Sequence, residues 1–171
     1  KVNQLFDIPF RLILCGSSGQ GKSNLLINLL LNNNFGYTDI FDGDRIMIFS
    51  PTIKSDEKLN ILVNEKDIPS SNLFENFSDD LLEEVYDLLV DDFKDAISNG
   101  EKPKHTLIIL DDLAFSSKLS KRFSALGKVF CNGRKFLVSC ICLTQTYTSI
   151  AKNIRINSSG LIIFNTSNKE L

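Results

Sequence analysis

Short apolar runs alternate with helical patterns along this chain. Residues 10–15, 45–49, 106–110, 136–143 and 160–164 are nearly continuous apolar stretches rich in β-branched and aromatic members. Runs of that kind fit strands buried on both faces of a parallel sheet. Between them the period changes. Residues 24–31 hold helix formers, and Leu81, Leu82, Val85, Leu88, Leu89, Phe93 and Ile97 recur at helical spacing. Ser78-Asp79-Asp80 supplies an N-cap with an acidic first turn, and Asn99-Gly100 stops the run. A shorter helix is expected over about 119–130, ending near Asn132-Gly133. Strands alternating with helices predict an α/β domain, a three-layer sandwich around a mostly parallel sheet.

Residues 53–77 are the hardest to read. Lys, Asp, Asn, Ser and Pro69 surround one short apolar piece at 59–63. We read 1–171 as a single domain, with 53–103 a variable insertion that carries a helix near 78–98. Asp42-Gly43-Asp44 is read as a turn, because the rest of a calcium-loop pattern is missing.

Composition narrows the class. The chain has 171 residues, 43% hydrophobic and 23% charged, ordinary for a globular domain with its own core. No apolar run approaches the roughly 20 residues of a membrane helix, and no secretory leader is visible. The chain starts at Lys1 and is expected to be a piece of a longer protein, cut short at its C-terminal side. Cys15, Cys131, Cys140 and Cys142 show no metal-ligand spacing and His105 is the only histidine, so small buried hydrophobes in a reducing compartment are expected. His105 reads as a strand-edge residue.

Charge is unevenly spread. Residues 1–112 carry 10 Lys/Arg against 20 Asp/Glu, whereas residues 113–171 carry 9 Lys/Arg and one acid, Glu170. A nucleic-acid partner fits this asymmetry, and so do cationic faces that neutralise the acidic half of the same fold.

The chemistry concentrates in Gly16-Ser17-Ser18-Gly19-Gln20-Gly21-Lys22-Ser23, which reads G-x-x-x-x-G-K-S between an apolar strand and a helix beginning near Asn24. Glycines let successive backbone N–H groups turn toward phosphates, the lysine reaches the β/γ oxygens, and the serine hydroxyl ligates Mg²⁺. Strand, loop and helix then place a helix N-terminus against the anion. ATP and Mg²⁺ are the expected ligands of the loop.

Hydrolysis needs more than the loop. Residues 107–110 are apolar and lead into Asp111-Asp112. Asp111 is placed to bind Mg²⁺, and Asp112 to polarise the attacking water. Gln145, two residues past the 136–143 strand, can sense the γ-phosphate or orient water, with Thr144 and Thr146 beside it. An arginine from a neighbouring subunit would complete the set, and Arg134 is preferred over Arg155.

Gly16–Ser23, Phe49-Ser50-Pro51-Thr52, Leu110-Asp111-Asp112, Gly133-Arg134-Lys135, Thr144-Gln145 and Ile154-Arg155-Ile156-Asn157 follow in this order. The set resembles the poxvirus-type genome-packaging ATPases of large DNA viruses and virophages, within the FtsK–HerA superfamily. The resemblance implies a P-loop NTPase fold of the RecA/FtsK–HerA kind. It also implies that Lys22 and Ser23 contact phosphates and Mg²⁺, Asp111 binds Mg²⁺ and Asp112 is catalytic. Gln145 would be the sensor and Arg134 the finger acting on the next subunit. Such proteins form pentameric or hexameric rings that drive double-stranded DNA into a preformed capsid, which places them in the virion or the cytoplasmic virus factory. The wider superfamily usually has Glu where Asp112 stands, and many viral relatives have His where Lys135 stands.

The leading expectation is therefore an ATP-driven translocase of double-stranded DNA. Its DNA contacts would come from the basic stretch with Lys118, Lys121, Arg122, Lys128 and Lys152. A cellular DNA pump or helicase of the same superfamily, and a slowly hydrolysing ATP-bound scaffold, are the alternatives. GTP specificity is excluded, because Asn168-Lys169-Glu170-Leu171 lacks the Asp that reads guanine.

Overall fold

A computed structural model describes residues 4–112 and 124–165. Its centre is a six-stranded sheet: β1 (Arg11–Cys15), β2 (Ile46–Phe49), β3 (Leu73–Phe74), β4 (Thr106–Asp111), β5 (Val138–Thr144) and β6 (Gly160–Ile163). The strand order is β3-β2-β4-β5-β1-β6, and every pairing is parallel. The expected "mostly parallel" sheet is thus wholly parallel. β5 sits between β1 and β4, so whatever follows β5 emerges between the ends of those two strands.

Among the described residues five α-helices connect the strands: α1 (Lys22–Leu31), α2 (Glu57–Glu65), α3 (Asp79–Ser98), α4 (Ala125–Asn132) and α5 (Lys152–Ile156). On one face of the sheet, α1 and α2 bury Leu26, Leu29, Leu30, Leu59 and Leu62 against Leu12, Leu14, Ile48, Leu107 and Ile141. On the other, α3, α4 and α5 bury Leu82, Val85, Tyr86, Leu89, Leu126, Val129 and Ile154 against Ile13, Phe49, Ile108 and Cys140. Each fully buried aliphatic side chain contributes about 1.5–3 kcal/mol over an exposed one.

Residues 53–103 contribute to all three layers, through α2, β3 and α3. α3 starts where the Ser78 hydroxyl accepts the Leu81 N–H, as the sequence pattern predicts. α2 is capped by Asp56, which accepts from Lys58 N and Leu59 N. β3 is only two residues long, but Phe74 stacks on Phe49 with ring centres 4.5 Å apart. Gly43 has no room for a side chain, since a Cβ there would lie 1.8 Å from the Lys66 carbonyl oxygen. The Asp42-Gly43-Asp44 turn is a packed corner whose Asp42 pairs with Lys104 at 2.9 Å.

Several strand ends shift by a residue or two, and two of the shifts bear on the site. Gly133–Phe136 coils into a 3-10 turn closed by Leu137 at φ 57°, so β5 begins two residues after Phe136. β4 continues one residue past Leu110 and takes in Asp111. Of the expected 119–130 helix, residues up to 123 lie outside the described ones. Cys15, Cys140 and Cys142 are buried as expected, whereas Cys131 is exposed. Among the described residues, no helix is long and apolar enough to cross a membrane.

Candidate functional site

All six strands point the same way, so the segments leaving β1, β2, β4 and β5 share one edge of the sheet. There a cavity of about 250 Å³ opens. It is lined by Ser18, Gly19, Gly21, Lys22 and Ser23 from the loop after β1, and by Asp111, Asp112 and Gln145 from the ends of β4 and β5. Thr52, Asp56 and Lys58 close the far side.

The loop takes its shape from two glycines. Gly19 (φ 77°) and Gly21 (φ 103°) hold left-handed backbone that side chains disfavour, and Gly21 is the N-cap of α1. Gly16 is needed for space, because a Cβ there would lie 2.6 Å from Phe164 Cβ. Gly16 N–H donates to Thr144 O (3.1 Å) and Ser17 N–H to Asn165 O (3.2 Å), fastening the loop to both neighbouring strands. Lys22 Nζ donates back to the carbonyl oxygens of Gly16 and Ser17. Gln20 and Asn24 are exposed beside the loop and do not line the cavity.

Asp111 is 6% exposed. Ser50 Oγ donates to its Oδ2 at 3.0 Å. Burial pushes the Asp111 carboxyl above the usual carboxylate range, the Ser50 bond pulls it down, and the charges of Asp56 and Asp112 push it up again. Lys22 acts against them. Asp112 breaks from the strand into left-handed backbone at φ 45°, which turns its carboxylate toward the next strand. Gln145 Nε2 donates to Asp112 Oδ1 at 3.0 Å. The predicted acid and the predicted sensor are therefore in contact. Thr144 and Thr146 stabilise the strand end, Thr146 N–H donating to Thr144 Oγ1 at 3.2 Å.

The profile of the family described as "Poxvirus A32 protein" matches residues 1–171. The chain belongs to the poxvirus A32 protein family. This A32-family chain is 30% identical over 163 residues to the DNA packaging protein OPG160 of Variola virus, covering 95% of itself and 56% of that relative. The Monkeypox virus protein of the same name is 30% identical over 168 residues, with 95% and 50% covered. The A32-family chain thus spans about half the length of the curated relatives it matches. Among solved structures, EssC (ATPases 2 and 3) from Geobacillus thermodenitrificans aligns with a TM-score of 0.67 at 13% identity, covering 95% of this chain and 33% of that one. The genome packaging NTPase B204 of Sulfolobus turreted icosahedral virus 2, in complex with AMP, aligns at 0.62 and 18%, with 94% and 78% covered. Likeness at such identities establishes the P-loop ATPase fold of the A32-family chain.

Two expected participants lie elsewhere in the A32-family chain. Arg134 is exposed in the turn that precedes β5, at the end of that strand opposite Gln145. The six steps of about 3.3 Å along β5 put the two ends of that strand about 20 Å apart, with Arg134 before one end and the loop at the other. Burial, and after it the Arg134 charge, lowers the pKa of Arg11 at the start of β1. Arg155 stacks its guanidinium over Tyr147, 4.9 Å from the ring centre. Of the basic stretch, Lys118, Lys121 and Arg122 lie outside the described residues. Lys128 corrects part of that expectation, because it pairs with Glu83 on the acidic α3. Lys152 is exposed, with no carboxylate partner among the described residues.

Ser50, Thr52, Asp56 and Lys58 also stand at the site; the sequence marks Ser50 and Thr52 only as members of the family-like set, with no role, and leaves Asp56 and Lys58 unassigned. A usable signal existed for two of them. Asp56 followed by Leu59, Leu62 and Val63 is an N-cap with a helical apolar stripe, and that helix start carries Lys58.

Proposed function

We propose that this chain is the ATP-hydrolysing domain of a motor that moves double-stranded DNA and packages a viral genome into a capsid. The observation that carries this reading is the convergence of the glycine loop, Asp111, Asp112 and Gln145 on one cavity. That the relatives are DNA packaging proteins by name, and B204 a genome packaging NTPase, supports this direction of the work.

In this reading the loop amides and the N-terminus of α1 hold the phosphates of ATP, and Lys22 leaves its loop carbonyls for the β/γ oxygens. The residues suit a magnesium–nucleotide complex. Asp111 is a buried carboxylate whose hydrogen-bond donor among the described residues is Ser50, and burying a charge with so few partners is costly unless a cation compensates. Ser23 offers a hydroxyl in the lining of the same cavity. Among the described residues no three His, Cys, Asp or Glu gather to hold a metal by themselves, so phosphate and water oxygens must complete its shell. When bound, magnesium neutralises charge on the transferring phosphoryl group. Asp112 accepts a proton from the attacking water, and Gln145, held on Asp112, orients that water toward the γ-phosphorus. Arg134 serves the site of the adjacent subunit in a pentameric or hexameric ring. Lys152 and the 113–123 segment supply DNA contacts. The capsid is the further partner, and the virion or virus factory the setting.

The test is steady-state phosphate release with and without double-stranded DNA. DNA of unrelated sequences is expected to stimulate turnover alike, because phosphate contacts carry no sequence information. Stimulation should fall as salt rises. Turnover indifferent to DNA at every salt concentration would remove the translocase reading and leave an ATP-binding scaffold.

A further inference from the structure

The Ser50-Pro51-Thr52 corner has no part in the chemistry described so far, yet it touches the site at its most buried point. Ser50 follows directly on β2, and the register Phe49↔Leu110 brings it beside Asp111. Its side chain is fully enclosed, with 0% of the residue exposed. Its N–H donates to Phe74 O at 3.0 Å, which ties the corner to β3. Its hydroxyl is committed on both sides. It donates to Asp111 Oδ2 at 3.0 Å and accepts the Thr52 N–H at 3.3 Å, with Thr52 Oγ1 3.2 Å away.

A hydroxyl has one proton to give, and this one goes to Asp111. The bond fixes the rotation of the carboxylate. It occupies Oδ2 and leaves Oδ1 without a donor among the described residues, in a side chain that borders the cavity. A buried carboxylate with one oxygen pinned and the other available is arranged as a preoriented cation ligand. Thr52, which also lines the cavity, joins the Ser50 hydroxyl to the cavity wall opposite the loop.

We propose that Ser50 is a positioning residue that orients Asp111 for magnesium–nucleotide binding, with Thr52 holding the Ser50 hydroxyl in place. The inference rests on the nucleotide reading of the cavity and goes beyond it in naming what aligns its acidic ligand. Groups that orient ligating carboxylates are worth about 10–100-fold in metal affinity.

The experiment titrates Mg²⁺ against the binding of a fluorescent ATP analogue to the full chain, with binding in EDTA as the reference. Ser50→Ala should raise the half-saturating Mg²⁺ about 10-fold or more. Affinity in EDTA should stay at the wild-type level, which also reports that the variant is folded. Ser50→Thr keeps a hydroxyl at the same position and should return the half-saturation most of the way. Unchanged Mg²⁺ dependence in Ser50→Ala would overturn the proposal. So would loss of binding in EDTA as well, since that describes a purely structural residue, and so would a Ser50→Thr variant as weak as Ser50→Ala. A wild-type chain with no Mg²⁺-dependent nucleotide binding would instead bring down the nucleotide reading itself, whatever the variants do.

Discussion

Lys22→Ala is expected to abolish ATP turnover, a fall of about 10³-fold or more measured as phosphate release at saturating Mg-ATP and DNA. Removing one preorganised donor to a transition-state oxygen costs about 10²–10³ in rate, and a full positive charge on the transferring phosphoryl group raises that. Weaker ATP binding adds to the loss at limiting nucleotide. The fold should survive. Lys22 is half-buried, and among the described residues its ammonium donates to the carbonyl oxygens of Gly16 and Ser17, in a loop that is fastened independently through Thr144 O and Asn165 O. Thermal unfolding should therefore move little while turnover disappears. Retained activity in a folded Lys22→Ala protein would refute the assignment of the loop.

Arg134→Ala should lower turnover by about 10³-fold, the lower end of what an arginine supplied to a phosphoryl transfer is worth. The distinctive outcome comes from mixing. Arg134 and Lys22 lie at opposite ends of the sheet, so one chain cannot bring both to the same phosphate. A shared site takes Lys22 from one subunit and Arg134 from the next. Lys22→Ala and Arg134→Ala proteins, each inactive alone, should then regain turnover when assembled together, because some junctions pair an intact Lys22 with an intact Arg134. A mixture no more active than its parts would show that Arg134 does not complete a neighbouring site. The location of Arg155, stacked on Tyr147 within its own chain, makes it the weaker candidate for such a reach.

The parallel sheet and the edge that holds the candidate site were legible in the sequence because their signals are local. Five of six strands are apolar runs, and a strand that ends in Asp111-Asp112 announces a charged edge without any knowledge of its neighbours. The loop carries its geometry in its glycines. What stayed hidden depends on contacts between distant segments. β3 has two residues, and its place in the sheet comes from the stacking of Phe74 on Phe49, which no periodicity encodes. Ser50 looks like a turn residue until β2 and β4 are placed side by side, when its hydroxyl meets Asp111. The bond between Gln145 and Asp112 requires that β5 lie beside β4, a fact of topology. From the sequence Lys128 reads as a DNA-contact candidate, because its partner, Glu83, is 45 residues away on α3.

β5 has a consequence for timing around an assembled ring. All seven of its residues are buried, and it is hydrogen-bonded along both sides, to β1 and to β4. Such a strand moves as a rigid rod. Its leading end carries Gln145, which would feel whether a γ-phosphate is present. Its trailing end follows directly from the turn that holds Arg134, which would serve the neighbouring subunit. In the proposed ring one stiff piece of backbone would therefore reach two different hydrolysis sites. Under ring-forming conditions the dependence of turnover on ATP should depart from a simple hyperbola, and a hyperbolic curve there would count against the coupling. In such a ring the subunit would act as an escapement, in which the firing of one site releases the next and order around the circle needs no outside clock.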